Sequence, residues 1–166
     1  IQGVRIGDHV IASGEILSIP VGNVLLGRVV DSLCQSADGK SEPYSPVRYP
    51  VVASPPDPMK RKTIKKRIVT GIRAIDGLLA VGRGQRLGIF SGSGVGKSTL
   101  LGMVARNTNA DVNVIALIGE RGREVIDFIE SDLGPDGLKR SVIVTATSDQ
   151  SPLARIRPGS NRRRAV

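Results

Sequence analysis

The sequence predicts an α/β protein built on a parallel sheet with flanking helices, and three observations carry that prediction. An apolar run, Leu87-Gly88-Ile89-Phe90, enters a glycine-rich turn ending in Gly96-Lys97-Ser98, and Leu100, Leu101, Val104 and Ala105 then recur at helical spacing. A second apolar run, from Asp111 to Gly119, is nearly continuous, as in a parallel strand covered on both faces. A third, Ser141 to Ala146, follows a helical stretch with apolar positions Val125, Ile126, Phe128, Ile129 and Leu133 that should end near Gly134-Pro135. Strand and helix alternating at this spacing argue right-handed crossovers within one parallel sheet.

The segments before this core read differently. Val10 to Gly14 and Ile16 to Gly22 are short apolar runs broken by Gly and Pro, which predict short strands of a β region already in progress. The first residue is Ile1, and the chain is expected to start within a longer protein. Prolines at 43, 46, 50, 55, 56 and 58 deny a long helix and predict an extended surface connector. The basic run 60–67 continues it. Thr70 to Leu79 then predicts a short helix with Ile72, Ile75, Leu78 and Leu79 on its apolar face. From Pro158 to Val166 the chain is polar and basic, a composition that predicts disorder.

Composition limits the function classes. Hydrophobic residues make up 40% of the 166, enough for a globular core, whereas aromatics are 2% with no Trp, which argues against base-stacking platforms for nucleic acid. The net charge of +9 is unevenly placed. Residues 60–67 hold six basic side chains and residues 155–164 hold five, with no acid in either; without those 11, the remaining 13 basic residues face 15 acids. The excess therefore belongs to a linker and a tail, which points to solvated runs or peripheral contact with anionic lipid, and to no specific nucleic acid. No run approaches a membrane span and no signal-peptide pattern is present, so the expected location is cytoplasmic. Cys34, the single cysteine, lacks basic neighbours and a companion His, and reads as inert.

The loop carries the chemistry. Residues 91–98 follow the pattern G-x-x-x-x-G-K-[ST] with one departure, Ser91 at the first glycine, where strain is expected without loss of the loop. Glycines at 92, 94 and 96 let consecutive N–H groups turn inward around phosphate oxygens, and the helix beginning here adds its positive end. The predicted nucleotide-binding residues are Gly92, Ser93, Gly94, Val95, Gly96, Lys97, Ser98 and Thr99. Lys97 reaches the β- and γ-phosphates and the Ser98 hydroxyl ligates Mg²⁺. Without the flanking strand and helix, the same residues would read as a glycine-rich turn before an ordinary helix. Beyond the second apolar run stands Glu120-Arg121-Gly122-Arg123-Glu124. Ligands of open α/β sheets lie outside the carboxyl ends of the strands, so this cluster is expected to face the loop. A carboxylate there can orient an attacking water and an arginine can stabilise a γ-phosphate. On its own, the cluster is equally a solvated helix start.

Gly82-Arg83-Gly84-Gln85-Arg86, the loop itself, and Ile118-Gly119-Glu120-Arg121-Gly122-Arg123-Glu124-Val125 resemble the flagellar protein-export ATPases, relatives of the rotary ATP synthase catalytic subunit and of the type III secretion ATPases. Thr70-Gly71-Ile72-Arg73-Ala74-Ile75-Asp76-Gly77-Leu78-Leu79 is similar to the same family, as is Thr147 to Gln150, and the resemblance covers roughly residues 10–155. It implies a P-loop, RecA-like sheet that is incomplete and preceded by the end of a β-barrel domain. The implied division is 1–22 for the end of the barrel, 23–69 for the connector, 70–157 for a partial ATPase core and 158–166 for the tail. By the same resemblance Glu120 is the general base, Arg121 contacts the γ-phosphate, ATP and Mg²⁺ are bound, and the working form is a hexameric ring engaged with the flagellar export apparatus and its substrates. Cys34 falls where relatives have glycine. After Arg157 the pattern is lost, and the resemblance implies a truncated or frameshifted copy without the second Mg²⁺-associated Asp, the adenine pocket, the arginine finger and the C-terminal helical domain. Such a chain is expected to bind nucleotide with little turnover. An injectisome ATPase, a nucleotide-binding assembly module without catalysis and an RNA translocase of the Rho type are the competing readings. The last lacks its aromatic-bearing RNA domain here.

Overall fold

The protein is described by a computed structural model over residues 5–12, 14–55, 57–92 and 94–156; Ser93 and the tail 158–166 lie outside these. Three parallel strands make the central sheet in the order β2 (Arg28–Val30), β5 (Ser141–Ala146), β4 (Asn113–Ile118). Register pairs Val30 with Val144 on one side, and Val114 with Val142 and Ile118 with Ala146 on the other. A separate antiparallel pair joins β1 (Ser18–Pro20) to β3 (Arg48–Pro50).

All six residues of β5 are buried, because strands flank both its edges and packing covers both its faces. Side chains alternate across the sheet accordingly. Ile143 joins Val29, Ile115, Leu117, Val125, Phe128 and Leu133 in one core cluster. Val142 and Val144 join Ile19, Val21, Leu25, Val30 and Val51 in the other. Helices cover the first face only: α2 (Lys97–Asn107), α3 (Gly122–Asp127), a π turn (Phe128–Leu133) and α4 (Gly134–Lys139). The second face is covered by the β1–β3 pair and the 3₁₀ turn Asn23–Leu25. β2 comes from the stretch 23–69 read as connector, and its polar-flanked three residues gave no strand signal of their own. Gly102 of α2 meets the π turn so closely that a Cβ would lie 2.6 Å from the Asp132 carbonyl oxygen.

Two sequence expectations are corrected. Leu87–Phe90 is not a strand. Among the described residues its backbone makes no hydrogen bond, and Gly88 weakens the intrinsic preference that pairing would otherwise have to supply. The helix Arg73–Leu78 (α1) forms, but Leu78 is 85% and Leu79 64% exposed. It is held by its polar start: Asp76 accepts hydrogen bonds from the Thr70 N–H and hydroxyl, each at 2.9 Å, and from the Gly71 N–H at 2.8 Å. The turn before it is tied to the end of α2, where the Thr108 hydroxyl donates to the Val69 carbonyl at 2.9 Å. The helical stretch after Gly122 does end near Gly134-Pro135 as expected: Gly134, with φ of 69°, closes the π turn, and α4 begins there as a separate helix whose second residue, Pro135, needs no N–H partner. Cys34 is 3% exposed with φ of 61°, a left-handed turn position that glycine fills without strain. Burial pushes its thiol up to about 11. Ser91 is not among the left-handed residues, so the departure at the first loop position costs no backbone strain. Among the described residues no helix is long and apolar enough to cross a membrane.

One ion pair anchors β2. The Arg28 guanidinium donates from Nε and Nη2 to the two oxygens of Asp38 at 2.8 and 2.9 Å, and both side chains are largely buried at 13% and 11% exposure. Asp38 is held well below the usual carboxylate range, chiefly by Arg28, with the Val29 and Lys40 N–H groups and the Ser36 hydroxyl adding to it against the cost of burial. A depressed folded-state pKa contributes stability above the unfolded value, near pH 4, and that contribution is lost as pH falls through the folded value. Asp38→Asn is expected to cost about 2 to 4 kcal/mol in urea unfolding at neutral pH, and to flatten the loss of stability that the parent shows on acidification below about pH 4.

Candidate functional site

The loop 91–96 runs into α2 through Gly96, whose φ of 86° makes it the helix N-cap; Gly94 is left-handed as well, at 76°. Both geometries favour glycine. A Cβ at 92, 94 or 96 would meet nothing within 4 Å, so these glycines face open space. The first intrahelical bond runs from the Leu100 N–H to the Gly96 carbonyl at 2.9 Å. Among the described residues the N–H groups of 97–99 have no acceptor, which leaves them and the helix dipole to an anion.

A cavity of about 200 Å³ opens beside this helix start. Lys97, Ser98, Glu120 and Glu124 line its polar side, and Leu87, Ile89, Leu101, Leu117 and Phe128 its apolar side. Lys97 Nζ stands 4.0 Å from Glu120 Oε1, with the two side chains 54% and 36% exposed. At that exposure the pair is worth only about 0 to 1 kcal/mol, so it brings opposite charges together without locking them. Glu120 is placed by its backbone. Gly119 N–H donates to the Ala146 carbonyl at 2.7 Å and Ser148 N–H to the Glu120 carbonyl at 3.0 Å, so the parallel ladder continues one step past both strands and carries Glu120 out at their carboxyl ends.

Sequence reasoning and structure agree on the meeting of Lys97, Ser98 and Glu120. Arg121 stands apart: it is 82% exposed, does not line the cavity, and pairs with Glu124, whose Oε1 is 3.6 Å from its guanidinium and whose Oε2 accepts its backbone N–H at 3.4 Å. Gly92, Gly94, Val95 and Thr99 sit exposed around the helix start, while Ser93 is outside the described residues. Glu124 belongs to the cluster expected to face the loop and does line the cavity, although no role was assigned to it; its carboxylate accepts the Arg121 N–H at the start of α3, a bond the guanidinium cannot return. The apolar wall was missed, because Leu87 and Ile89 were assigned to a strand. Among the described residues no group of three or more His, Cys, Asp or Glu is placed to hold a metal. One hydroxyl beside two carboxylates suits Mg²⁺ that arrives on phosphate oxygens, since that ion keeps few protein ligands.

The sequence profile of the ATP synthase alpha/beta family, nucleotide-binding domain, matches residues 71–160. The chain is 64% identical over 156 residues to a flagellum-specific ATP synthase of Treponema pallidum, covering 94% of this chain and 35% of that protein. It is 55% identical over 153 residues to a type 3 secretion system ATPase of Xanthomonas euvesicatoria, covering 92% and 35%. The chain thus spans about a third of the length of these curated relatives. Among solved structures, an ATPase from the type III secretion system of pathogenic bacteria superposes with a TM-score of 0.81 at 47% identity, covering 86% of this chain and 41% of that one. The assembled ATPase EscN with its central stalk EscO, from enteropathogenic E. coli, gives 0.81 at 46% identity over 89% and 36%.

An ammonium placed at the start of α2 predicts a direct phosphate contact. Lys97→Ala should weaken Mg-ATP binding about 10- to 100-fold, measured by titration with a fluorescent ATP analogue. Equal affinity of variant and parent would remove Lys97 from the site.

Proposed function

The chain belongs to the ATP synthase alpha/beta family, and from that premise we propose that it is the phosphate-binding part of an ATPase that energises export of flagellar proteins through a type III apparatus. The observation that carries this reading is the approach of Lys97 to Glu120, 4.0 Å apart at the rim of a cavity that adjoins an open glycine loop. In the proposed reaction Lys97 and the N–H groups of 97–99, which have no acceptor among the described residues, hold the β- and γ-phosphates. Ser98 supplies one oxygen to Mg²⁺, which when bound neutralises charge on the phosphates. Glu120 orients a water molecule whose oxygen attacks the γ-phosphorus as the bond to the leaving ADP oxygen breaks, and takes up its proton. Arg121 must leave Glu124 to reach the γ-phosphate.

That engagement of Arg121 outside the cavity supports a second reading, a nucleotide-binding assembly module without turnover. An injectisome ATPase is a third, supported by the 55% identity to the Xanthomonas relative. A homo-oligomeric ring, contact with a stalk and with exported substrates, and a cytoplasmic location belong to the same proposal, by likeness to the assembled EscN structure and the flagellar relatives. Peripheral contact with anionic lipid rests on the charge of the two basic runs, 60–67 and 155–164.

Steady-state hydrolysis by the purified chain, alone and mixed with a full-length relative, separates turnover from binding alone. Glu120→Gln is expected to abolish any hydrolysis while keeping Mg-ATP affinity within about fivefold, because the carboxylate it removes has only a weak hold on Lys97. Unchanged hydrolysis in that variant would sink the assignment of Glu120 as the base.

A further inference from the structure

Residues 58–110 hold eleven basic side chains against one acid, Asp76, and that acid is occupied by Thr70, Gly71 and Arg67. Eight of the eleven lie in two short segments, 60–67 and 83–86, which folding joins at one bridge. An antiparallel bridge pairs Arg67 with Gly82; Arg83 N–H donates to the Lys66 carbonyl at 2.8 Å and Ile68 N–H to the Val81 carbonyl at 2.9 Å. The end of the run, Lys66 and Arg67, is thereby laid beside Gly82 and Arg83, and all eight cations are exposed. Among the described residues Arg67 alone of them has a carboxylate within 4 Å, that of Asp76 at 3.9 Å. Two further features do not follow from charge. Met59 and Ile64 interrupt the cations with apolar surface, 91% and 53% exposed. Between the 3₁₀ turn Pro58–Lys60 and the bridge, the backbone of residues 62–65 makes no hydrogen bond among the described residues.

We propose that this ridge is a docking edge for an acidic, extended polypeptide segment. Carboxylates of the partner meet the Lys and Arg side chains, an apolar side chain rests on Ile64, and the partner's main chain pairs with the free N–H and C=O groups of 62–65 in the manner of strand addition. A bilayer offers the charge without main-chain partners. Nucleic acid favours a series of stacking rings, and Phe90 is the one aromatic residue within 58–110. The proposal is independent of nucleotide.

The test uses the purified chain and a labelled ten-residue peptide of alternating Glu and Val, followed by fluorescence anisotropy, with phosphatidylserine-containing vesicles and oligo-dT as the other arms. Saturable peptide binding that weakens about tenfold as salt rises from about 50 to about 300 mM is the expected result. Reversing Lys62, Lys65 and Lys66 to Glu together should abolish it, with unchanged circular dichroism. Lys65→Pro and Lys65→Ala remove the same charge, but only the first removes an N–H; the Pro variant should bind about fivefold more weakly than the Ala variant. Equal binding by those two would overturn the strand pairing. Vesicle or oligo-dT binding without peptide binding would overturn the partner, and binding of none of the three would reduce the ridge to a solvated run.

Discussion

Burial of β5 along its whole length sets the terms for everything around it. A strand with no residue in water must satisfy its N–H and C=O groups within the protein, and β2 and β4 do so from opposite edges. Because its side chains alternate, one strand nucleates two cores, the helices closing on Ile143 and the N-terminal segments on Val142 and Val144. The same ladder, carried one step further through Gly119 and Ser148, delivers Glu120 to the mouth of the cavity. Position in the core and position at the site are thus fixed by one set of hydrogen bonds.

At that mouth the charges are arranged in two loose pairs, Lys97 with Glu120 and Arg121 with Glu124. Both are solvent-screened, and neither stabilises the fold much. Their value is positional. In the proposed reaction a phosphate group would bring enough negative charge to compete for both cations, and so free both carboxylates as oxygen ligands. The apolar wall of Leu101, Leu117 and Phe128 behind them lowers the local dielectric and strengthens those exchanges.

Much of this was legible in residues alone. β4 and β5 announced themselves as near-continuous apolar runs, and α2 by its spacing after the glycine loop, because each of these elements is specified by its own burial pattern. Lys97 and Ser98 were legible in the pattern of the glycine loop before α2, and Glu120 because it follows the carboxyl end of β4. What failed had a common physical character: its state depends on a partner distant in sequence. Leu87–Phe90 has strand-like composition, but a strand is a pairing, and among the described residues no ladder reaches it. α1 has an apolar stripe at helical spacing, yet a polar turn around Asp76 holds it and leaves Leu78 and Leu79 outside. The three residues of β2 carry too few side chains for any period to show, and only β5 makes them a strand. The pairing of Arg121 with Glu124 in place of the cavity is a choice between two acceptors that spacing cannot rank.

Cys34 occupies a left-handed corner inside the core, and both its steric seclusion and its suppressed ionisation act on the sulfur atom. For chemistry from the outside the molecule is therefore thiol-silent while folded. A cysteine introduced at any chosen surface position becomes the group that a maleimide reaches first, so spectroscopic probes can be attached one at a time to the wild-type background without disturbing the turn that the native residue completes.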